Sequence, residues 1–233
     1  MPPIDNPQKP RSRRERPAKP PLTRQGIIDA ALVILRDEGL DKLTMRRVAT
    51  AVDSGHASLY VYVRDVEDLH AQLLDELLGE VSPPAAGVGT WRDRIKALVL
   101  SYGSILLRYP GIARMAISTQ PSGPNYLALV EAILALLNEA GVADGVAALA
   151  VDLLLLYPTA IAVEHSNPKT SAQKADALSD LAGRLVHTDA SQYPNIARLG
   201  DLLVSGDGSV RGDFALNALL DGILAASPPA TAD

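Results

Sequence analysis

The sequence predicts an all-α protein, in which a three-helix head with a helix-turn-helix is linked by a fourth helix to a larger helical-bundle body. Three observations support this prediction. Apolar residues recur three and four positions apart along most of the chain, glycines and prolines mark the ends of these segments, and no alternating strand pattern lasts more than a few residues. The 233 residues therefore divide into a disordered basic arm at 1–21, a head at 22–66, a body at 67–227 and a tail at 228–233.

The head is predicted to contain three helices with a sharp turn between the second and the third. The first helix has apolar residues at helical spacing from Ile27 to Leu35 and ends at Gly39, because glycine readily adopts the left-handed conformation that closes many helices. Thr44 is a good N-cap for a short second helix, and Asp53-Ser54-Gly55 breaks the pattern before a third helix begins. A two-turn helix cannot bury its own face, so the second helix packs on the first and the third projects outward.

The helices of the body are predicted from their caps and breakers. Asp65 caps the linking helix, Thr90 caps the fifth helix, and Pro124 suits the first turn of the seventh. The eighth helix is apolar nearly all round, which is typical of a buried helix. The linking helix runs to Leu78, and the segments after it are 91–109, a short helix through Met115 and Ile117, 124–140, 144–165, 171–186, 194–204 and 213–226.

The projecting third helix has the size and polarity to enter the major groove of DNA. The polar and aromatic residues that this helix is predicted to bear, from His56 to Tyr62, and the basic residues at the start of the second helix are the candidate contacts. These DNA-binding candidates are Thr44, Arg46, Arg47, His56, Ala57, Ser58, Tyr60, Tyr62 and Arg64.

The charge distribution supports a DNA-facing N-terminal part. Residues 1–66 contain 12 Lys or Arg and 8 Asp or Glu, which is a net charge of +4. Because the net charge of the whole chain is −5, residues 67–233 carry −9. Six of these basic residues lie among prolines in a stretch that cannot form a core, which indicates a disordered arm. Such an arm adds phosphate contacts or reaches a minor groove, or it is a solvated tail without a specific role.

The segment from Thr23 to Leu78 resembles the DNA-binding domain of the TetR family of bacterial transcriptional regulators. The family's motif appears as Leu43-Thr44-Met45-Arg46-Arg47-Val48-Ala49, then Leu59-Tyr60, then Leu69. The chain departs from the usual pattern at Val52-Asp53-Ser54 in the turn, at Tyr62-Val63, and at Val66, which replaces a common phosphate-contacting lysine. The family's set of DNA-backbone contacts therefore does not carry over whole.

The resemblance implies a homodimer whose interface is a four-helix bundle formed by the eighth and last helices. On these helices leucines recur at three-and-four spacing, and the alternative is that they are simply core. The predicted interface residues are Leu149, Leu156, Leu216, Leu219, Leu220 and Ile223.

The resemblance also implies a ligand cavity within the body. A minority of aromatic and polar residues lies on the helices that surround this cavity in the family, and Pro158 is expected to kink the eighth helix beside it. The alternative is that these residues fill the core. The predicted ligand-binding residues are Tyr102, Leu106, Tyr109, Met115, Leu153, Tyr157 and His165.

Composition argues against catalysis, cofactors and metal ions. The chain has no cysteine, its four histidines are scattered, and it has no glycine-rich phosphate loop and no two-histidine metal motif. Glu164-His165 is the nearest approach to an acid–base pair, but adjacent residues point about 100° apart on a helix. We therefore predict no catalytic residues, no metal and no cofactor.

The sequence also argues against a membrane partner. The N-terminus lacks the apolar run of a secretory signal, and the apolar stretch 146–163 is interrupted by Asp152 and Pro158 where a span needs about 20 apolar residues. We therefore expect a cytoplasmic protein.

The resulting hypothesis is a ligand-responsive transcriptional regulator. It would bind a near-palindromic operator as a homodimer, repress transcription, and be released by a small apolar or amphipathic molecule. The alternatives are an activator, a DNA-binding regulator without a small-molecule ligand that acts constitutively or through a protein partner, and a helical enzyme.

Overall fold

The computed structural model describes residues 21–85, 87–109, 111–119, 121–166 and 171–227. The tail at 228–233, and the arm except for residue 21, lie outside the described residues, as do Pro110, Gln120 and the predicted loop at 167–170. The described residues form α-helices and short 3₁₀ helices without any strand, which confirms the all-α fold class.

The head consists of α1 (Arg24–Asp37), α2 (Met45–Ala51) and α3 (His56–Leu59). The hydroxyl of Thr23 accepts a hydrogen bond from the Gly26 amide at 3.0 Å, and Thr44 caps α2 as predicted. Gly39 has a φ of +86°, so the chain reverses where the sequence indicated. Apolar side chains from all three helices form a small core, which fixes the direction in which α3 projects: Ile27, Ala31, Ile34, Val48 and Leu59.

The linking helix α4 (Val66–Leu78) belongs to the head and the body at once. Asp65 caps it by accepting a hydrogen bond from the Asp68 amide at 2.8 Å. It packs against α1 on one side and against α5 (Trp91–Arg108), α6 (Ile112–Ser118) and α7 (Pro124–Glu139) of the body on the other. One helix therefore contacts both α1 of the head and three helices of the body.

The centre of the body is α8 (Asp144–His165), which contacts α5, α6, α7 and α11 (Gly208–Ala225). It is long and apolar enough to cross a membrane by composition, but much of its surface is buried in this bundle. The prediction of a buried helix is correct for the face of α8 that the other helices cover, whereas a leucine face that includes Leu149, Leu153 and Leu156 is exposed.

Two predicted helices have different bounds in the structure. The segment 194–204 is α10 (Pro194–Leu199) followed by a 3₁₀ helix (Gly200–Val204), because Gly200 adopts a φ of +46° that interrupts the α-helix. These two pack mainly with α9 (Ser171–Val186). The last helix starts at Gly208 rather than Asp213, because the Asp207 side chain accepts hydrogen bonds from the Ser209 and Val210 amides and caps it there.

Candidate nucleic-acid interface and ligand cavity

The exposed face of the head is built around one buried side chain. Leu59 is fully buried and anchors α3, so the rest of this four-residue helix faces solvent. The predicted contacts on this face are all exposed, namely His56, Ala57, Ser58 and Tyr60. The His56 and Tyr60 rings pack edge to face with centroids 5.2 Å apart, which orders two of the side chains that point away from the head.

The two arginines at the start of α2 differ in their surroundings. Arg46 is exposed. The Arg47 Nε donates to both carboxylate oxygens of Glu38, at 3.0 and 3.1 Å, and its Nη2 lies 2.5 Å from one of them. These hydrogen bonds lower the pKa of the Glu38 carboxyl. Arg47 therefore ties α2 to the end of α1, whereas Arg46 is the arginine available to a partner.

Tyr62 and Arg64 lie beyond α3 rather than on it, because the helix ends at Leu59. The Tyr62 hydroxyl donates to the Leu22 carbonyl oxygen at 2.7 Å, which holds the chain that enters α1. The guanidinium of Arg64 is 3.3 Å from the Asp68 carboxylate and otherwise faces solvent. Both side chains flank the projecting face, but Tyr62 has its hydroxyl hydrogen engaged within the head.

The folded part of the head has no excess of positive charge. Residues 22–66 contain six basic and six acidic residues, so the whole excess of residues 1–66 comes from the first 20 residues. The basic side chains that the folded head could offer to phosphate groups are therefore single exposed ones such as Arg46.

The body contains a cavity of about 440 Å³ between α4, α5, α6, α7 and α8. It has an apolar wall interrupted by a few polar groups. The described residues that line it are Leu74, Leu78, Tyr102, Ala116, Ile117, Thr119, Pro121, Tyr126, Asp152, Leu155, Leu156 and Thr159. Its size and mixed lining are typical of small-molecule sites.

Two hydroxyl groups on the cavity wall form a short chain of hydrogen bonds. The Thr159 oxygen lies 2.7 Å from the Leu155 carbonyl oxygen and 2.8 Å from the Tyr102 oxygen. A carbonyl oxygen only accepts, so Thr159 donates its single hydrogen to Leu155 and must accept from Tyr102. Burial raises the pKa of the Tyr102 hydroxyl, which keeps it protonated. With its hydrogen used, the Tyr102 oxygen can offer a ligand only lone pairs.

Of the seven predicted ligand-binding residues, only Tyr102 is among the residues that line this cavity. Leu106 and Met115 are buried in the core, and Tyr109 and Tyr157 pack partly buried against it. Leu153 lies on the exposed face of α8, because Asp152, Leu155 and Thr159 occupy the face that turns toward the cavity. His165 is exposed, six residues beyond Thr159 or about 9 Å along the helix, and its Nδ1 donates to the Ile161 carbonyl oxygen at 2.8 Å.

Sequence reasoning missed most of the cavity lining, although α8 contained a usable signal. Asp152 and Thr159 are polar residues seven positions apart on an otherwise apolar helix, so they share one face. A polar pair within an apolar helix indicates a cavity or a buried hydrogen-bond network. No comparable signal marks Leu74 and Leu78 of α4, whose contribution depends on how α4 packs across the body.

A buried carboxylate joins the cavity wall to the linking helix. Asp75 of α4 is buried, and its Oδ1 accepts a hydrogen bond from the Tyr126 amide at 2.9 Å. The Asn125 side chain donates to the Asp75 carbonyl oxygen, also at 2.9 Å. The N-cap of α7 is Gly123, which has no side chain to bond the free amides, so Asp75 caps α7 from a different helix.

The outer surface of α8 and α11 carries exposed apolar side chains, but the predicted interface residues divide into two groups. Leu216, Leu220 and Ile223 are only 2%, 1% and 6% exposed within a single chain, so they are core and have almost no surface left to bury against a partner. Leu156 is exposed but lines the cavity. The surface groove between the two helices is lined by Leu149, which is 60% exposed, by the half-buried Leu219, and by the small exposed part of Ile223.

Comparison with known proteins agrees with this architecture. Residues 83–227, more than half of the chain, match the family model described as "Tetracyclin repressor-like, C-terminal domain". The crystal structure of ActR from Streptomyces coelicolor in complex with actinorhodin is 35% identical and superimposes with a TM-score of 0.80, covering 88% of this chain and 97% of that one.

Curated relatives are also transcriptional regulators. The repressor DrrR1 of Streptomyces coeruleorubidus is 29% identical over 91% of this chain and 80% of its own length. A helix-turn-helix regulator of Saccharopolyspora erythraea is 36% identical over 56% of each chain, so this chain spans about half the length of that relative.

A helix-turn-helix head joined by one helix to an all-helical body defines the class as a DNA-binding transcriptional regulator. Within that class, the chain belongs to the TetR family of bacterial transcriptional regulators, as the match over residues 83–227 shows.

Proposed function

We propose that the protein is a cytoplasmic repressor that binds a near-palindromic operator as a homodimer and is released when a small apolar or amphipathic molecule enters the body cavity. The observation that carries this proposal is the position of α4. Leu74 and Leu78 of this helix line the cavity, and the same helix packs against α1 of the head. A ligand in the cavity therefore touches the element that orients the DNA-binding face.

The proposed DNA contact uses α3 and the residues around it, with Arg46 as its main cation. One projecting helix of four residues reaches only a short stretch of a groove, so a single head offers few contacts. Pairing two heads about a two-fold axis doubles these contacts and accounts for a near-palindromic site.

The proposed dimer surface is the exposed face of α8 and α11. It contains Leu149, Leu153 and Leu224, and Phe214 is 74% exposed, the largest exposed fraction among the large apolar residues of α11. Water-exposed leucine and phenylalanine side chains on two packed helices are typical of a surface that another chain covers.

The proposed ligand response requires that the ligand bind the released state more tightly than the DNA-bound state. Support for a ligand comes from the polar groups of the cavity wall and from ActR, whose structures are described in complex with actinorhodin and with (S)-DNPA. These two compounds are the first to screen.

The test compares cavity-filling and surface substitutions of matched size. Ile117→Trp adds bulk at the cavity wall, and Leu107→Trp adds similar bulk on α5 at a residue that is not among the lining residues. The native Ile117 and Leu107 side chains have similar exposed fractions, 55% and 50%. Fluorescence anisotropy would follow binding to operator DNA selected from random duplexes, and then release by actinorhodin, (S)-DNPA and a metabolite library.

We expect the wild type and Leu107→Trp to be released by the same compound at similar concentrations. The Ile117→Trp variant should bind DNA, but its release should need about a tenfold higher concentration of that compound, because the indole occupies part of the ligand's volume. Selection of no DNA sequence would refute the regulator, and equal release of both variants would refute the cavity as the ligand site.

A further inference from the structure

We propose that the cavity takes an amphipathic amine, with the Asp152 carboxylate as the counter-ion of its ammonium group. This inference rests on the proposed role of the cavity as the ligand site and narrows the chemical class of the ligand. Three features of the described residues carry it: the hydrogen-bonding polarity of the wall, the sign of its charge, and the character of the groove beside it.

The polar groups of known hydrogen-bond direction on the wall are acceptors. The Tyr102 oxygen has donated its hydrogen to Thr159, and the Thr159 hydrogen goes to the Leu155 carbonyl. A carboxylate such as Asp152 also only accepts. The Asp152 carboxylate is exposed and has no hydrogen-bond partner among the described residues, so it can bind N–H or O–H groups of a ligand.

The charge of the cavity wall is negative. Among the described lining residues Asp152 is the one charged side chain, and within the part of the chain that the structure describes no Lys, Arg or His nitrogen lies within 4 Å of its carboxylate. The pKa of the Tyr126 hydroxyl is raised by burial and, to a lesser extent, by the negative charge of Asp152. The negative charge of Asp152 therefore affects another group of the cavity wall, the Tyr126 hydroxyl.

A ligand that packs over Asp152 removes water from an unpaired carboxylate. A neutral ligand leaves that charge without compensation, and an anionic ligand adds repulsion between like charges. An ammonium group instead forms a charge-assisted hydrogen bond to the carboxylate, and the apolar part of the ligand can pack against Leu74, Leu78 and Ile117.

The groove beside the cavity has the same sign. A surface groove of about 750 Å³ runs between α7 and α8, and it shares Tyr126 and Asp152 with the cavity lining. The charged residues that line the groove in the described structure are all acidic, namely Glu131, Asp144 and Asp152. A cation that approaches through this groove is attracted along its path, whereas an anion is repelled.

The test uses three probes with one aromatic skeleton: naphthalen-1-ylmethylamine, naphthalene-1-methanol and naphthalene-1-carboxylic acid. Calorimetric titration at pH 7 and low salt would give their dissociation constants for the full chain. The variants are Asp152→Asn, which removes the charge but keeps the side-chain size, and Asp180→Asn, the same change at an exposed residue of α9.

We expect the amine to bind about three- to tenfold more tightly than the alcohol, and the acid to bind most weakly, with the amine's advantage shrinking in added salt. Asp152→Asn should make the affinities for the three probes similar, and Asp180→Asn should preserve the ranking of amine over alcohol over acid. Binding of the acid as tightly as the amine, or an order that survives in Asp152→Asn, would overturn the inference and leave the proposed regulator intact. If none of the three probes binds, the inference of an amine ligand falls, whereas the proposed function is tested separately by release of operator DNA.

Discussion

The contact between Gly123 and Asp75 leads to a prediction about how α7 is capped. A Cβ added at Gly123 would lie 2.2 Å from the Cγ and Oδ2 atoms of Asp75 and 2.5 Å from its Oδ1, far inside van der Waals contact. The backbone itself poses no obstacle, because Gly123 has a φ of −78°, which alanine readily adopts. Gly123→Ala therefore acts only by pushing the Asp75 carboxylate away from the α7 N-terminus.

The expected cost follows from what the carboxylate does there. Losing the cap on the Tyr126 amide costs about 0.5–2 kcal/mol, and forcing an extra methyl into a packed site costs about 1–3 kcal/mol. We expect Gly123→Ala to lower the free energy of unfolding by about 2–4 kcal/mol. Asp75→Ala alone should cost about 2 kcal/mol, because it removes the cap but causes no overlap.

The two substitutions should be strongly non-additive. In the Asp75→Ala background the space of the carboxylate is empty, so Gly123→Ala should then be nearly neutral, which gives a coupling free energy of about 2–4 kcal/mol. Urea denaturation followed by circular dichroism, at one protomer concentration for all variants, measures each term.

The matched control is Gly183→Ala in α9, where an added Cβ meets no atom within 4 Å. This substitution should be neutral or should stabilise the protein by up to about 1 kcal/mol, because alanine favours a helix. Additivity of the Gly123 and Asp75 changes to within about 0.5 kcal/mol would refute the capping contact.

Three further predictions concern the head and the dimer surface. Arg46→Ala should weaken operator binding in anisotropy titrations without a change in thermal stability, whereas Arg47→Ala should also lower the melting temperature because it breaks the pairing with Glu38; equal effects on both properties would contradict the distinction. Removing residues 1–20 should reduce the salt dependence of DNA affinity, since these residues supply the net positive charge of the N-terminal part, and an unchanged slope would show that they make no phosphate contacts. Leu149→Asp should give a folded monomer in sedimentation equilibrium, because it places an unpaired charge on the exposed face of α8, whereas Leu220→Asp should unfold the body; a folded Leu149→Asp dimer would remove this face from the interface.

The head and α4 show which structural features the sequence alone can predict. The ends of α1, α2 and α4 follow from Gly39, Thr44 and Asp65, because a cap or a left-handed glycine acts within three or four residues of itself. The exposure of the α3 residues also follows, since a helix this short has one inward position, which Leu59 occupies.

The helical periodicity of the body determined that apolar faces exist, but it did not determine what covers them. The pattern of α11 identified Leu216, Leu220 and Ile223 as one face, and the tertiary structure shows that this face is buried within the subunit while Phe214 and Leu224 of the same helix are exposed. A spacing of three and four residues describes a helix surface equally well whether its partner is the same chain or another one.

The sequence by itself determined the fold class, the helix-turn-helix and most helix ends, because these depend on interactions between residues close in the chain. Only the tertiary structure decided the cavity and the cap of α7. Tyr126 and Asp75 are 51 residues apart, and the cavity wall combines side chains from five helices. Such contacts depend on the relative position of whole helices, which is set by the packing of their apolar faces together and leaves no periodic trace in any one segment.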